Sequence, residues 1–282
     1  MDMNKKILFL PIFVLLLALS VQFTMADVLI EESASSAAEA DAPVIDMADI
    51  ATSEGQAGNY VLFSCATAND LGNTFSDPAP GTWEELDEGA CGNDGRLCRH
   101  GIWGGFVADP NDEDITCSWT ELASVFAAGS IRYSGVDPDN PIIDIECNAG
   151  LGTELTAPSI ITEAGSQVIR VYTSSALTQS STVINSAITT NAIPEDTWEE
   201  SAFSPFQNVS SEGRSALTTE AGSTGTSLIN VEIQSEWRAC TIAIRMAPPT
   251  DVPTMSEWGL IAFAAFAGIA GFWFMRRRQV TA

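Results

Sequence analysis

The chain has 282 residues, with 37 carboxylates against 12 lysines and arginines and a formal net charge of −25. A surface of that sign repels DNA, RNA and anionic lipid headgroups, which excludes nucleic acid as a partner. One histidine and no CxxC pair leave nitrogen and sulfur metal centres almost nothing to build from.

In chain order, Lys5 and Lys6 precede an apolar run from Ile7 to Leu19, and Thr24-Met25-Ala26 ends on a small residue before Asp27. These are the charged, apolar and cleavage regions of a secretory signal peptide, so residues 1–26 are read as one; a retained N-terminal anchor is the alternative. Either way the segment from Asp27 to Asp251 is exported. It holds 35 carboxylates, seven arginines and no lysine, a net charge near −28. Residues 27–55, rich in Ala, Ser, Glu and Asp, read as a flexible acidic leader.

Residues 56–247 read as one all-β domain, long enough to bury its own core. Tyr60–Ala66, Gly101–Val107, Ser124–Tyr133, Gln167–Thr173, Ser227–Ile233 and Trp237–Met246 are short and rich in Val, Ile, Tyr, Trp or Thr. Breaks rich in Asx, Gly and Pro separate them, including Asp77-Pro78-Ala79-Pro80-Gly81 and Asp137-Pro138-Asp139-Asn140-Pro141. Many short strands and no long amphipathic helix predict an antiparallel β-sandwich of jelly-roll type. A duplication is also expected: YVLFSCA, GTWEEL, ITCSW and SVFAAGSIRYS are echoed in order by QVIRVYT, DTWEES, SLINVEI and EWRACTIAIRM. The halves then contribute equivalent hairpins to one sandwich or fold as two similar layers.

All six cysteines, Cys65, Cys91, Cys98, Cys117, Cys147 and Cys240, lie in the exported segment. An even number in an oxidising compartment reads as three disulfides, for which fifteen connectivities exist. Cys91 and Cys98 bracket the turn-forming Gly92-Asn93-Asp94-Gly95, which favours a local closure; the other four tie strands together, Cys65 with Cys117 and Cys147 with Cys240 being one arrangement.

The candidates for chemistry are few. Glu84 with Glu85 and Glu199 with Glu200 offer paired carboxylates of the sort a polysaccharide hydrolase uses, but neighbours on a strand point to opposite faces, so each pair supplies one inward carboxylate at most. Asp109, Asp112 and Asp114, and Asp137, Asp139 and Asp144, are oxygen-rich loop positions suited to Ca²⁺, without the glycine and terminal glutamate of an EF-hand; solvated turns are the competing reading. A Ser-His-Asp triad needs His100, and no GxSxG elbow accompanies it. No Gly-rich phosphate loop follows a strand. Trp83, Trp103, Trp119, Trp198 and Trp237 suit either a sugar-stacking platform or the core. No catalytic residues and no cofactor are assigned, Ca²⁺ being the one ion for which ligands are on offer.

Pro248-Pro249-Thr250-Asp251 forms a short linker (248–251). Beyond it stand Val252, Pro253, Thr254, Met255, Ser256, Glu257, Trp258 and Gly259, then an uncharged stretch to Met275, then Arg276, Arg277 and Arg278. Residues 258–275, as a helix of about 1.5 Å rise per residue, cover roughly 27 Å and predict a single transmembrane helix. The arginines act as a cytoplasmic stop, and Trp258 and Trp273 suit the two interfaces.

This tail, residues 252–282, resembles the IPTL-CTERM protein-sorting domain of Gram-negative bacteria, in which an IPTLSEWG-like motif precedes a helix and an arginine cluster. Val252 stands for Ile and Met255 for Leu; the other six motif positions match. The resemblance implies an address rather than a chemistry: an inner-membrane-anchored precursor, cut by an exosortase-type enzyme and delivered to the cell surface. The order of elements around SIRYSGVDPDNPIID and the last strand also resembles uncharacterised β-sandwich modules of bacterial surface and phage-tail-associated proteins. The expectation is an exported surface protein acting in adhesion, in an extracellular (biofilm) matrix or as a coat, with surface polysaccharide as partner; the alternative is a secreted hydrolase acting on polysaccharide.

Overall fold

The computed structural model describes residues 29–39, 44–47, 58–68, 75–79, 83–92, 98–107, 115–119, 125–176, 184–185, 195–203, 208–247 and 263–269. Contacts divide the chain into two units, Ala26–Ala247 and Met1–Met25 with Pro248–Ala282.

In the first unit the strands are β1 (Leu29–Glu39), β2 (Val44–Met47), β3 (Tyr60–Ala68), β4 (Phe75–Ala79), β5 (Glu84–Ala90), β6 (Cys98–Phe106), β7 (Ile115–Trp119) and β8 (Val125–Ser134). The series continues with β9 (Ile142–Ala157), β10 (Ile161–Thr162), β11 (Gln167–Ala176), β12 (Ile184–Asn185), β13 (Glu195–Phe203), β14 (Asn208–Leu217), β15 (Gly222–Ser223) and β16 (Ser227–Ile244). Every pairing between them is antiparallel.

The sheet orders repeat. One sheet runs β1-β8-β3-β6-β5; another runs β9-β16-β11-β14-β13, each strand eight places further along the chain, with β12 beside β16 as well. The smaller sheets, β2-β7-β4 and β10-β15, follow the same offset apart from β12. A local irregularity repeats too. The β5–β6 ladder bulges between Glu85, opposite Trp103, and Asp87, opposite Ile102; the β13–β14 ladder bulges between Asp196, opposite Arg214, and Trp198, opposite Gly213. A shared bulge fixes the correspondence at residue level, because it sets which positions face each way. It aligns Trp103 with Arg214 and, across the ladders, Phe63 with Arg170.

Alternation along the central strands buries both faces. Tyr60, Leu62, Ile102, Ile131 and Tyr133 of the first large sheet form one cluster with Ile169, Val171, Cys240, Ile242 and Ile244 of the second. On the other face of the first sheet, Val61, Phe63, Trp103 and Phe126 pack with Cys117 of β7 and Phe75 of β4. Strand β3 is buried along its whole length for this reason, and reads as a continuous apolar run. Each large aliphatic side chain so covered contributes about 1.5–3 kcal/mol.

Three places depart from the expectation. Residues 29–39 and 44–47, assigned by composition to an acidic leader, are strands β1 and β2; β1 pairs with β8 from Leu29↔Ser134 to Glu39↔Val125. Main-chain bonding to an apolar neighbour holds a segment whose own β propensity is poor. Strand β9 was not foreseen because Asn148-Ala149-Gly150 interrupts its pattern; Gly150 lies opposite Trp237, whose ring occupies the space a Cβ would take. Strand β14 is hidden by serine and charge, which the site below explains.

In the second unit, residues 263–269 are α-helical and all exposed. They fall within the span expected over 258–275, whose other residues lie outside the described ones. No helix among the described residues is long and apolar enough to cross a membrane.

Candidate functional site

The structure pairs Cys65 with Cys117, Cys91 with Cys98 and Cys147 with Cys240, at Cα separations of 6.6, 5.2 and 4.1 Å. Cys147 and Cys240 are directly opposite on β9 and β16. No described cysteine is free.

His100 is completely buried between the two large sheets. Its Nε2 lies 2.8 Å from Ser64 Oγ, while Nδ1 has no hydrogen-bond partner among the described residues. Asp87 is close by, so serine, histidine and aspartate do come together. They do not form a catalytic relay. Both Asp87 oxygens accept from Arg238, whose Nε and Nη2 donate at 2.7 and 2.6 Å, and Ser64 has no exposed surface on which to meet a substrate. Asp87, His100 and Cys240 also present atoms within 4.8 Å of one another. The Cys240 sulfur is bonded to Cys147, so it offers no thiolate to a metal. Burial lowers the His100 pKa from 6.5 to about 4, with Asp87 drawing it up and Arg238 pressing it down.

The carboxylate candidates separate. Glu84 and Glu85 are exposed on edge strand β5. Glu199 and Glu200 lie on β13, and their side chains are outside the described residues. Asp137 Oδ1 accepts from the backbone N–H of Asp139 and Asn140 at 2.9 and 3.3 Å, the turn-closing role of an Asx residue. Asp144 is half-buried on β9; Asp109, Asp112 and Asp114 lie outside the described residues. Trp103 is buried, and Trp83 and Trp237 are half-buried against apolar clusters. The side chains of Trp119 and Trp198 are outside the described residues.

The sequence reading missed a cleft of about 400 Å³ on the second half. Val168 and Arg170 of β11 form its floor and Thr162 of β10 one wall; Ala216 to Glu220, Ser223 and Thr224 supply the rest. Three contacts hold the β10–β15 ribbon over the sheet, Thr241 Oγ1 donating to Pro158 O at 2.6 Å and Arg170 Nη2 to Thr224 O and Gly225 O at 3.1 and 3.0 Å, while Thr224 N donates to Ile160 O at 2.9 Å within the ribbon. Arg170 faces Arg214 across the ladder, and the adjacent carboxylate, Glu212, is paired with Arg214. Arg170 makes no ion pair among the described residues, and burial lowers its pKa. One signal pointed here: arginine in QVIRVYT stands where YVLFSCA has phenylalanine.

No curated protein and no solved structure matches the chain. Residues 252–278 match the family model described as the IPTL-CTERM motif, so the chain ends in a protein-sorting signal of that type.

Proposed function

We propose that this is an exported cell-surface protein, carried to the inner membrane by its signal peptide and held there by the C-terminal helix until an exosortase-type enzyme cuts it. Its ectodomain then acts outside as an adhesive or structural matrix component. The observation that carries this reading is the IPTL-CTERM match over 252–278. Two others support it. Phe263, Phe266 and Ile269 of the described helix are 58%, 74% and 68% exposed, an apolar surface suited to lipid. Three paired cysteine couples suit an oxidising compartment.

The ectodomain is proposed to be a jelly-roll-like sandwich built twice over. An order of β1-β8-β3-β6 beside β2-β7-β4 is a jelly-roll plan, and the offset of eight repeats most of it. Function then lies at a binding surface rather than at catalytic carboxylates.

Intact mass spectrometry of the protein from envelope and medium, before and after reduction, tests this. The expected species lacks both ends and gains about six mass units on reduction, two per bridge. A full-length tail on surface-delivered protein would refute the processing step.

A further inference from the structure

The duplicated topology supplies an internal comparison for the cleft. In the first half, Phe63 stacks on Trp103 at 5.6 Å between ring centroids, and Trp83 and Phe75 pack edge-on against them. The corresponding pair in the second half is Arg170 and Arg214. Two cations thus stand where the first half has two aromatic rings; Glu212 is paired with Arg214, while Arg170 makes no ion pair among the described residues. Burying such a group without an acidic partner is costly, and a fold that needed only a core had an apolar solution available in its own first half.

Two buried polar groups lining the cleft are unmatched among the described residues: Arg170 is 3% exposed and its Nε–H has no partner there, and Thr162 is 4% exposed and its Oγ1 has none. They lie on separate elements, β11 and β10, and both line the same cavity. The two carbonyl contacts of Arg170 Nη2 hold the guanidinium to the ribbon without neutralising it. Around them the cleft offers hydroxyls at Thr219 and Ser223 and an apolar edge at Val168 and Leu217, the latter 46% exposed. Glu220, also exposed on the lining, would repel an anion, as would the net charge of −25. At about 0.15 M ionic strength that repulsion is screened over roughly 8 Å, so direct contacts decide.

We propose that this cleft is a binding site for an acidic sugar, its carboxylate or sulfate accepting from Arg170 and Thr162 while the ring lies against Leu217 and Val168. A guanidinium matches a carboxylate or sulfate edge better than any other side chain does. The volume admits one or two sugar rings, and a hydroxyl-lined wall with a small apolar face suits a ligand carrying both hydroxyls and C–H surface. The proposal deepens the surface reading, resting on it for the source of the polysaccharide but not for the pocket.

The test is calorimetric titration of the full-length protein in detergent with oligogalacturonate, neutral oligogalactose and inorganic sulfate, so its outcome does not depend on tail processing. Oligogalacturonate should bind, neutral oligogalactose should not, and sulfate should compete more weakly. Arg170→Gln should weaken binding about tenfold or more and Thr162→Val about three- to tenfold, the latter with an unchanged melting temperature. Thr162→Val decides the matter if Arg170→Gln fails to fold. Failure of both anions to bind at millimolar concentration, equal binding of the neutral oligomer, or wild-type affinity in a folded Thr162→Val and Arg170→Gln pair would overturn the proposal. Sulfate binding as tightly as the oligomer would overturn its saccharide part.

Discussion

Arg238 on β16 clamps Asp87 on β5 with two parallel hydrogen bonds of 2.7 and 2.6 Å, joining the two large sheets through a carboxylate 151 residues away in sequence. Both side chains are about one-sixth exposed, at 16% each. A paired charge so enclosed stabilises less by its presence than it costs when its partner is removed. Arg238→Ala is therefore expected to lose about 3 kcal/mol in urea unfolding, with the Arg238→Ala/Asp87→Ala double variant losing less than the sum of the single losses. Additive losses would show that the two groups are not coupled.

Beside that clamp, His100 makes the fold sensitive to acid. Its pKa is lowered from 6.5 to about 4 on folding, so the neutral ring is the folded form. A group whose folded pKa is depressed stabilises fully above its unfolded value and progressively less as pH falls through the folded one. The window is pH 6.5 down to 4, and the accumulated loss is roughly 3 kcal/mol. Ser64, Asp87 and Arg238 are the polar groups around the ring. His100→Asn keeps a polar side chain near Ser64 and removes the titration, so the stability difference between wild type and variant should shrink as pH falls from 6.5 to 4. A constant difference would disprove the assignment, and comparison with the variant cancels the background from the many carboxylates.

Legibility in the sequence followed burial. Strands β3, β8 and β11 pack apolar side chains on an inner face and are plain in the letters. Strand β14 (NVSSEGRSAL) is just as buried from Val209 to Ser215, but hydrogen bonds take the place of apolar contacts there. Ser210 meets Ser174 at 2.8 Å, and Ser215 receives Gln167 Nε2 at 2.6 Å and meets Tyr133 of the other sheet at 3.1 Å. Composition cannot distinguish such a strand from a loop, because the partners come from elsewhere in the chain. The expected repeat holds strand for strand only at its ends, YVLFSCA with QVIRVYT and SVFAAGSIRYS with EWRACTIAIRM; ITCSW is β7, whose counterpart is β15 rather than SLINVEI, which opens β16, and the two Trp-Glu-Glu motifs are displaced, Trp198 corresponding to Asp87 when the shared bulge is aligned. The cleft was missed although QVIRVYT set against YVLFSCA places Arg170 at Phe63, because the letters do not say that the position is buried or that the β10–β15 ribbon stands beside it.

Gly104 and Tyr60 make a paired prediction. A Cβ on Gly104 would overlap the Tyr60 hydroxyl, which is itself buried without a hydrogen-bond partner among the described residues. Gly104→Ala should cost about 1–3 kcal/mol by overpacking. Tyr60→Phe removes an unmatched polar atom and the nearest of the overlaps, leaving the ring Cζ at 2.7 Å, so it should be neutral or stabilising by up to about 1 kcal/mol, and should rescue part of the Gly104→Ala loss. Thermal unfolding of the three variants measures this; a strongly destabilised Tyr60→Phe would mean that the hydroxyl is satisfied.

The tail makes the last prediction, and it separates sorting from simple anchoring. Proline at position 253 has no main-chain donor and restricts the residue before it, so under the proposed function it is the motif position whose loss should most disturb reading by a processing enzyme. Pro253→Ala leaves residues 258–275 and the arginines at 276–278 unchanged, so insertion and orientation should be preserved while recognition is lost. The variant should accumulate uncut in the inner membrane, seen as a full-length mass in that fraction and depletion from the surface. Surface delivery at the wild-type level would mean that the motif is not read by a processing enzyme, and that the C-terminal helix serves as an anchor alone.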